Sequence, residues 1–493
     1  MQNVQDSKTL RIKIVPNEDG FGPSMAVYYV ARGLFAEAGR RGFDLHLTIQ
    51  NERKAAFNRT LYSDWSQIGR AEIRSKHSII ELVKDGEKVR ARETAELLLD
   101  YPARAASYCD DEDLLRCDAV ISMGAPVALR AASGCNPYRT VVPSVEVFDH
   151  SWSVSLRKII EADIQAHPDD WRDTKVSDLA GAEARFRKRE WPQEWRDRKF
   201  VDVVVEIISE IENDESKADA VFLFPDFLAA SEYYCHWQKV TTGKARRILG
   251  VFGGWADAER EKKRSEVRQR ISERLGLAVD DQTKIALIQG GGTPIWDNFL
   301  VRMILECISL QSYFKNMLFL FSERQVKGAV EVAKRGATRT TKAVLEKIFD
   351  EIGRSTTVRL VTDDKQKGFP DFQELYVASN LVFSRPGGIT VQDAIACRTP
   401  LVCAVEPGQW QTEKIRVNCE LHGLLRTVPY EAFQAAGVGL VLDHIEHAEN
   451  SRMRQIMCTV PNRQEQDDGG LASMIMAMIM NKSAQQTTSP RQG

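Results

Sequence analysis

The chain lacks three things: a C-x-x-C pair, an apolar run long enough to cross a bilayer, and an excess of charge of either sign. Its nine cysteines, at 109, 117, 135, 235, 307, 397, 403, 419 and 458, are scattered and mostly sit in apolar surroundings. That is the pattern of buried thiols in a reducing compartment, and it offers no zinc motif. Lys and Arg number 67 against 69 Asp and Glu, so no global field would draw in nucleic acid, and no nucleic-acid partner is expected. No stretch reaches the roughly 18 uninterrupted apolar residues that a spanning helix needs, and residues 1–10 are polar without a signal-like apolar region, so a cytoplasmic location is expected. The absence of G-x-x-x-x-G-K-[ST] disfavours P-loop kinase or ATPase chemistry.

With 493 residues and 43% apolar content, the chain is too long for one ordinary domain and can bury two cores. Strand-like apolar runs alternate with helical patterns. Strands are expected at 10–16, 45–50, 79–83, 118–123, 140–145 and 217–224, then at 284–289, 317–321, 357–361, 381–383 and 401–405. Helices are expected at 25–38, 91–99, 258–275, 296–311 and 389–397, with 327–347 as a solvated basic helix. The alternation predicts α/β architecture with doubly wound sheets. Residues 1–247 form the first domain, interrupted by a charged helical insertion at about 155–211. Residues 248–283 supply a Gly-rich hinge and a charged helix, 284–481 form the second domain, and the polar tail 482–493 is expected to be disordered.

The insertion carries Trp171, Trp191 and Trp195 among Arg and Lys. Such interleaving can serve single-stranded nucleic acid or an anionic membrane surface, but a solvated insertion anchored to the domain by its indoles is the preferred expectation. The Met-rich segment 471–480 reads as core packing.

The most informative stretch is 383–393, F-S-R-P-G-G-I-T-V-Q-D, which follows a short apolar strand and opens a helix. Gly387 and Gly388 carry no Cβ, so a ligand can approach the backbone, and the free N–H groups at the helix start attract phosphate. An ordinary tight strand-to-helix turn has the same spelling. Thr390 adds a hydroxyl in the first turn, and Asp393, one turn on, can accept hydrogen bonds from a ribose diol. A second Gly-rich turn, Gly290, Gly291, Gly292 and Thr293, follows the strand at 284–289 in the same way.

Ser384, Arg385, Pro386, Gly387, Gly388, Ile389, Thr390, Asp393, then Thr399-Pro400, Gln409 and Gln411, Asn418 and Gly423 together resemble the nucleotide-sugar site of GT-B glycosyltransferases. The likeness is to the peptidoglycan N-acetylglucosaminyltransferase family and to arabinokinase-type glycosyltransferase domains. It implies two Rossmann-like domains facing across a cleft. The second would bind a nucleoside diphosphate sugar, UDP-type by analogy, as co-substrate without a permanent cofactor or metal. Gly291, Gly292, Thr293, Arg385, Gly387, Gly388, Ile389, Thr390, Asp393, Gln409 and Gln411 are the implied donor contacts. Asp393 stands where the family usually has a Glu.

The resemblance extends to the first loop, where relatives carry a His as general base and this chain has Asp19, followed by Gly20, Phe21, Gly22 and Pro23. Asp19 can take a proton from an acceptor hydroxyl, although its reference pKa near ~3.9 makes it a weak base unless burial raises it. Glu18 competes for that role, and an Asx-turn carboxylate that only shapes the loop is the structural alternative. Gly20, Phe21, Gly22, Asp149 and Trp152 are implied on the acceptor side, and His150 is a further catalytic candidate. His150 and Trp152 could equally pack between helices.

The expected activity is inverting, metal-independent transfer of a sugar to a small-molecule or lipid-linked acceptor, the latter with peripheral membrane association. A nucleotide-sugar 2-epimerase or hydrolase, or a non-catalytic nucleotide-sugar-binding protein, would share the donor site.

Overall fold

A computed structural model gives the fold. It describes residues 9–17, 22–50, 70–74, 80, 82–85, 88–109, 117–133, 144–148, 151–225, 227–228, 231–247, 251, 253–255, 257–289, 297–314, 316–335, 339–361, 372–405, 410–461 and 470–488. The chain forms two compact units. One comprises Met1–Phe224, Ala229–Ile248 and Asp468–Gly493, and the other Pro225–Leu228 and Leu249–Asp467.

The first unit is built on seven parallel strands: β1 (Thr9–Pro16), β2 (Asp44–Gln50), β3 (Ala71–Arg74), β4 (Ala119–Met123), β5 (Ser144–Phe148), β6 (Ala220–Leu223) and β7 (Ala245–Arg247). Their order across the sheet is β3-β2-β1-β4-β5-β6-β7. β4 is buried at every position, as a strand covered by helices on both faces must be. The second unit repeats the plan with β8 (Lys284–Ile288), β9 (Met317–Ser322), β10 (Val358–Val361), β11 (Leu381–Ser384), β12 (Leu401–Val405) and β13 (Arg426–Pro429). All are parallel, in the order β10-β9-β8-β11-β12-β13. Both orders are doubly wound, with the winding direction reversing beside the first strand of each unit. A small antiparallel hairpin, Lys84–Asp85 with Lys88–Val89, lies outside the sheets.

The helices used below are α1 (Gly22–Arg40), α2 (Trp152–Ala166), α3 (Phe200–Glu215), α4 (Ser231–Val240), α5 (Asp257–Leu275), α6 (Phe372–Ala378), α7 (Gly388–Ala396), α8 (Trp410–Leu421), α9 (Glu449–Thr459) and α10 (Leu471–Thr488). The charged segment after α2 is tied into the first core. Trp171, Trp191 and Trp195 are buried there with Phe186 and Phe200, and the Trp171 ring stacks on Phe200 with centroids 5.4 Å apart. The chain returns to the first unit at its far end, where α10 lies against α1. Leu471, Ile475, Met476 and Ile479 are buried, Arg41 Nη2 donates to Ser473 Oγ at 3.1 Å, and a Cβ on Gly33 would sit 3.1 Å from the Ala472 methyl. Glycine at 33 permits that close approach.

Several local expectations need correction. The segment 327–347 is not one solvated helix. It divides between helices Glu323–Arg335 and Arg339–Arg354, whose Val326, Ala329, Val330, Leu345, Ile348 and Ile352 pack into the second core. Lys and Arg on their outer faces masked that apolar stripe. The strand expected at 140–145 is Ser144–Phe148. Ile80 and residues 82–83 are not strand, and 79 and 81 lie outside the described residues. α10 continues through Thr488, past the point where the sequence turns polar.

Candidate functional site

In each unit the chain leaves the sheet at the reversal point, which in open α/β sheets is where ligands bind. In the second unit β8 and β11 are neighbours with Ile288 opposite Phe383, and the Gln289 N–H donates to the Phe383 carbonyl at 3.0 Å. Gln289 and Ser384 therefore leave the sheet side by side at its carboxyl end, and residues 290–293 lie outside the described residues. In the first unit β1 and β4 end together, with Pro16 opposite Met123 and the Asn17 N–H donating to Met123 O at 2.8 Å.

The turn after β11 is described in full. Ser384, Arg385 and Pro386 are buried, Gly387 to Thr390 are half-buried, and everything from Val391 to Pro400 is buried. The accessible part of α7 is thus its first turn, where backbone N–H groups have no intrahelical acceptor. Gly387 is the N-cap, with φ −74° and ψ 146°, and no side chain caps this end. Among the described residues, a Cβ on Gly387 would meet only Thr390 Oγ1, at an ordinary 3.6 Å. Neither backbone conformation nor packing among the described residues requires a glycine at 387.

The other end of α7 is fixed. The Thr399 N–H reaches the Ala394 carbonyl at 2.9 Å and the Arg398 N–H reaches Ile395 O at 3.0 Å, the paired bonds of a Schellman stop. The left-handed residue there is Arg398, φ 54°, and its guanidinium donates to Met457 O at 3.0 Å. A side-chain anchor on α9 takes the place of the usual glycine.

Beneath the accessible turn lies a polar layer. Asp393 is only 3% exposed, and its Oδ1 accepts from Gln373 Nε2 at 2.9 Å. Gln373 Oε1 accepts the Gly254 N–H at 3.0 Å. The Tyr376 hydroxyl accepts from Gln289 Nε2 and is hydrogen-bonded to Thr390. Burial, then the nearby Asp393 carboxylate, push the Tyr376 phenol well above its usual range, and the Thr390 hydrogen bond pulls the other way. Thr390 is therefore tied through Tyr376 to the residue that closes β8. Arg385 is buried, close enough to Cys403 that its charge lowers that thiol's pKa while burial drives it well up. Ser384 Oγ and Gln392 Nε2 are buried with no partner among the described residues.

In the first unit Trp152 does not present an acceptor surface. It is 3% exposed and its indole N–H donates to Gly124 O at 2.7 Å. Its position as the first residue of α2 explains this, because Glu215 closes that helix end. The carboxylate accepts from Trp152 N at 2.7 Å, Ser153 N at 3.3 Å, Ser153 Oγ at 2.6 Å and Ser151 Oγ at 2.9 Å, with His236 Nε2 at 3.1 Å. A buried acid at a helix N-terminus is the favourable charge arrangement. Next to it, Asp214 accepts from Tyr101 OH and Arg130 Nε, both at 2.6 Å. This network went unread in the sequence, where Asp214 and Glu215 look like the solvated end of an amphipathic helix. Nothing local marks their partners, 63 and 113 residues away.

Glu18, Asp19, Gly20, Phe21, Asp149, His150, Gly291, Gly292, Thr293 and Gln409 lie outside the described residues. Gly22 opens α1 and Gln411 lies in the first turn of α8. Arg385, Gly387, Gly388, Ile389, Thr390 and Asp393 are brought together around the start of α7, with Asp393 turned inward. Among the described residues, no group of three or more His, Cys, Asp or Glu is arranged to hold a metal ion. Nor is any helix there long and apolar enough to cross a membrane.

No protein-family model matches this chain, and no curated protein does. Solved structures do. Phytolacca americana UGT2, complexed with UDP-2fluoro-glucose and pterostilbene, aligns over 97% of this chain and 100% of its own, with a TM-score of 0.54 and 12% identity. Glycyrrhiza uralensis UGT73P12, complexed with glycyrrhetinic acid 3-O-monoglucuronide, aligns over 97% and 98% with a TM-score of 0.52 and 13% identity. CalG4, the calicheamicin glycosyltransferase, aligns over 96% and 99% with a TM-score of 0.50 and 14% identity. The chain has the GT-B fold. Both sheets of that expectation, each doubly wound, are present, and the candidate donor turn lies at the reversal point of the second.

Proposed function

We propose that the chain is a glycosyltransferase that moves a sugar from a nucleoside diphosphate sugar to a small-molecule acceptor nucleophile. The observation carrying this reading is the first turn of α7. It is accessible and uncapped, lies at the carboxyl end of β11 beside β8, and has a glycine that the described residues do not require. A diphosphate fits such a place because the helix start supplies oriented N–H donors and a positive dipole end. The fold shared with UGT2, crystallised with UDP-2fluoro-glucose, supports a sugar nucleotide of UDP type.

In the proposed reaction Asp19, or failing it Glu18, accepts the proton of the acceptor hydroxyl as its oxygen attacks the anomeric carbon. The bond from that carbon to the diphosphate oxygen breaks, and the diphosphate leaves with the bonding pair. Attack opposite the leaving group inverts the anomeric centre. The N–H groups of α7 and the Thr390 hydroxyl stabilise the charge on the departing diphosphate, and preorganised donors of this kind are each worth about 3 kcal/mol at a transition state. Arg385 adds positive charge from beneath the turn. The Gln289–Tyr376–Thr390 connection holds the hydroxyl in place.

The test is a thermal-shift panel of nucleoside diphosphates and sugar nucleotides, followed by mass spectrometry of products formed with a panel of hydroxylated acceptors. Glycosylated acceptor and free nucleoside diphosphate in equal amounts are expected. An isomerised sugar nucleotide without acceptor identifies an epimerase, and free sugar identifies a hydrolase. Binding without turnover of any sugar nucleotide sinks the catalytic reading.

A further inference from the structure

At the amino ends of the second sheet, opposite the edge that carries the donor turn, four arginines collect, of which only Arg260 has an ion pair among the described residues. Arg260, Arg264 and Arg268 recur every four residues along α5, so one face of that helix presents three guanidiniums in a row. Like charges at this spacing are individually unfavourable by a few tenths of a kcal/mol. α9 brings a fourth. Arg268 Nη2 donates to Asn380 Oδ1 at 2.7 Å and Arg454 Nη2 donates to Asn380 O at 3.2 Å, so two guanidiniums converge on the residue just before β11.

The contacts of the four do little to neutralise them. Arg268, 2% exposed, donates otherwise to the carbonyls of Ala378, Asp280 and Thr283. Arg260 pairs with Glu261 at 2.6 Å, yet its Nε is buried without a partner. Arg264 is half-buried and has neither a hydrogen bond nor an ion pair among the described residues. The carboxylates nearby are Glu261, Asp280 and Asp281. Asp280 is turned back on its own loop, where Oδ1 accepts from Gln282 N, Thr283 N and Thr283 Oγ1, and Asp281 is exposed. Lys263 and Arg270, on the flank of the same helix, share one carboxylate, Glu374. Burial, followed by the charge of Arg264, holds Arg268 down to about 10. Burial first, with Arg264 and Arg260 next, also lowers Arg454. A bound anion would relieve both costs.

We propose that Arg260, Arg264 and Arg454, backed by Arg268, form a second anion-binding site, for a phosphate-bearing group, on the sheet edge opposite the donor turn. Guanidiniums suit this ligand because their planar N–H forks pair with phosphate oxygens two at a time. A soluble phosphorylated metabolite and a phospholipid headgroup offer the same chemistry. Arg268 acts as a positioning residue, since all its described hydrogen bonds are to protein carbonyls.

Isothermal titration of the full chain with inorganic phosphate tests the site, using Arg264→Gln, Arg454→Gln, Arg264→Lys and the donor-side variant Gly387→Val. The phosphate binding that the Gln variants lose is expected to persist in Gly387→Val, which alters only the donor-side turn. Each Gln variant should weaken binding by about tenfold or more, because a charge-assisted hydrogen bond is removed, and Arg264→Lys should keep most of it. Arg264→Gln removes no described contact, so circular dichroism should show it folded. Co-sedimentation with phosphatidylglycerol vesicles, but not phosphatidylcholine vesicles, lost in Arg264→Gln, assigns the site to a lipid headgroup. Phosphate binding without sedimentation assigns it to a soluble ligand. Phosphate affinity unchanged by both Gln substitutions overturns the proposal, as does wild-type protein that binds neither phosphate nor anionic vesicles.

Discussion

Asp393 Oδ1 accepts the Gln373 side-chain N–H at 2.9 Å, and the oxygen of the same amide accepts the Gly254 N–H at 3.0 Å. One glutamine on α6 thus joins the helix of the candidate donor turn to the Gly253-Gly254 segment. Gly253 has φ 74° and a Cβ there would run into the Gln373 amide. Gln373→Ala removes two buried hydrogen bonds and is expected to cost about 1–3 kcal/mol, measured as a lowered urea midpoint. An unchanged midpoint would mean the amide holds nothing.

Gly387→Ala separates folding from binding. With φ −74° and only Thr390 Oγ1 near the added methyl, the variant should melt within about 1 kcal/mol of wild type. Its affinity for a nucleoside diphosphate should fall about tenfold or more, roughly 1.4 kcal/mol, as the methyl occupies ligand space. Equal affinity in calorimetry would move the diphosphate away from this turn.

Asp19→Ala bears on the chemistry alone. Turnover should drop by about 10²-fold or more, the usual contribution of a positioned base, while nucleotide binding persists. A small rate effect for Asp19→Ala with a large one for Glu18→Ala would hand the role to the neighbour.

Trp152→Phe should behave as a stability variant. It gives up the indole bond to Gly124 O inside the core, at a cost of about 1–3 kcal/mol. The acceptor KM of the folded fraction should not change. A raised KM at full stability would return Trp152 to the acceptor surface.

His444 makes stability depend on pH. Burial, then the charges of Arg426 and His447, hold its imidazole below the ordinary 6.5, with Asp443 and Glu449 pulling weakly the other way. The unfolded chain takes up this proton near 6.5, and the folded chain only at lower pH. Between those values the unfolded state binds more protons, so stability declines as pH falls through that window and is retained above it. Urea midpoints measured from about pH 7.5 to about 5 should fall less steeply for His444→Gln than for wild type. Parallel curves would acquit this histidine.

The sheets were readable because buried parallel strands such as 119–123 and 381–383 are mostly apolar runs, and the turn at Gly387 because glycine and a helix start have a local spelling. What could not be read depends on distance along the chain. The inward turn of Asp393 follows from Gln373, twenty residues earlier, and the burial of Trp152 from Glu215. The two helices across 323–354 were hidden because their outer charge is dense and their apolar stripe thin. The arginines of α5 are evenly spaced in the sequence, but only Asn380 and Arg454 reveal that their inner face is short of acid.

α10 sets an order of events during synthesis. Its partner α1 leaves the ribosome more than four hundred residues earlier, so the first unit, begun first, is finished last. Until Leu471 and Ile475 emerge, Gly33 and its neighbours on α1 lack their cover, and a nascent chain stalled anywhere in the second unit carries that apolar strip exposed. Stop codons late in the reading frame should therefore damage the amino-terminal unit, because they remove its last helix.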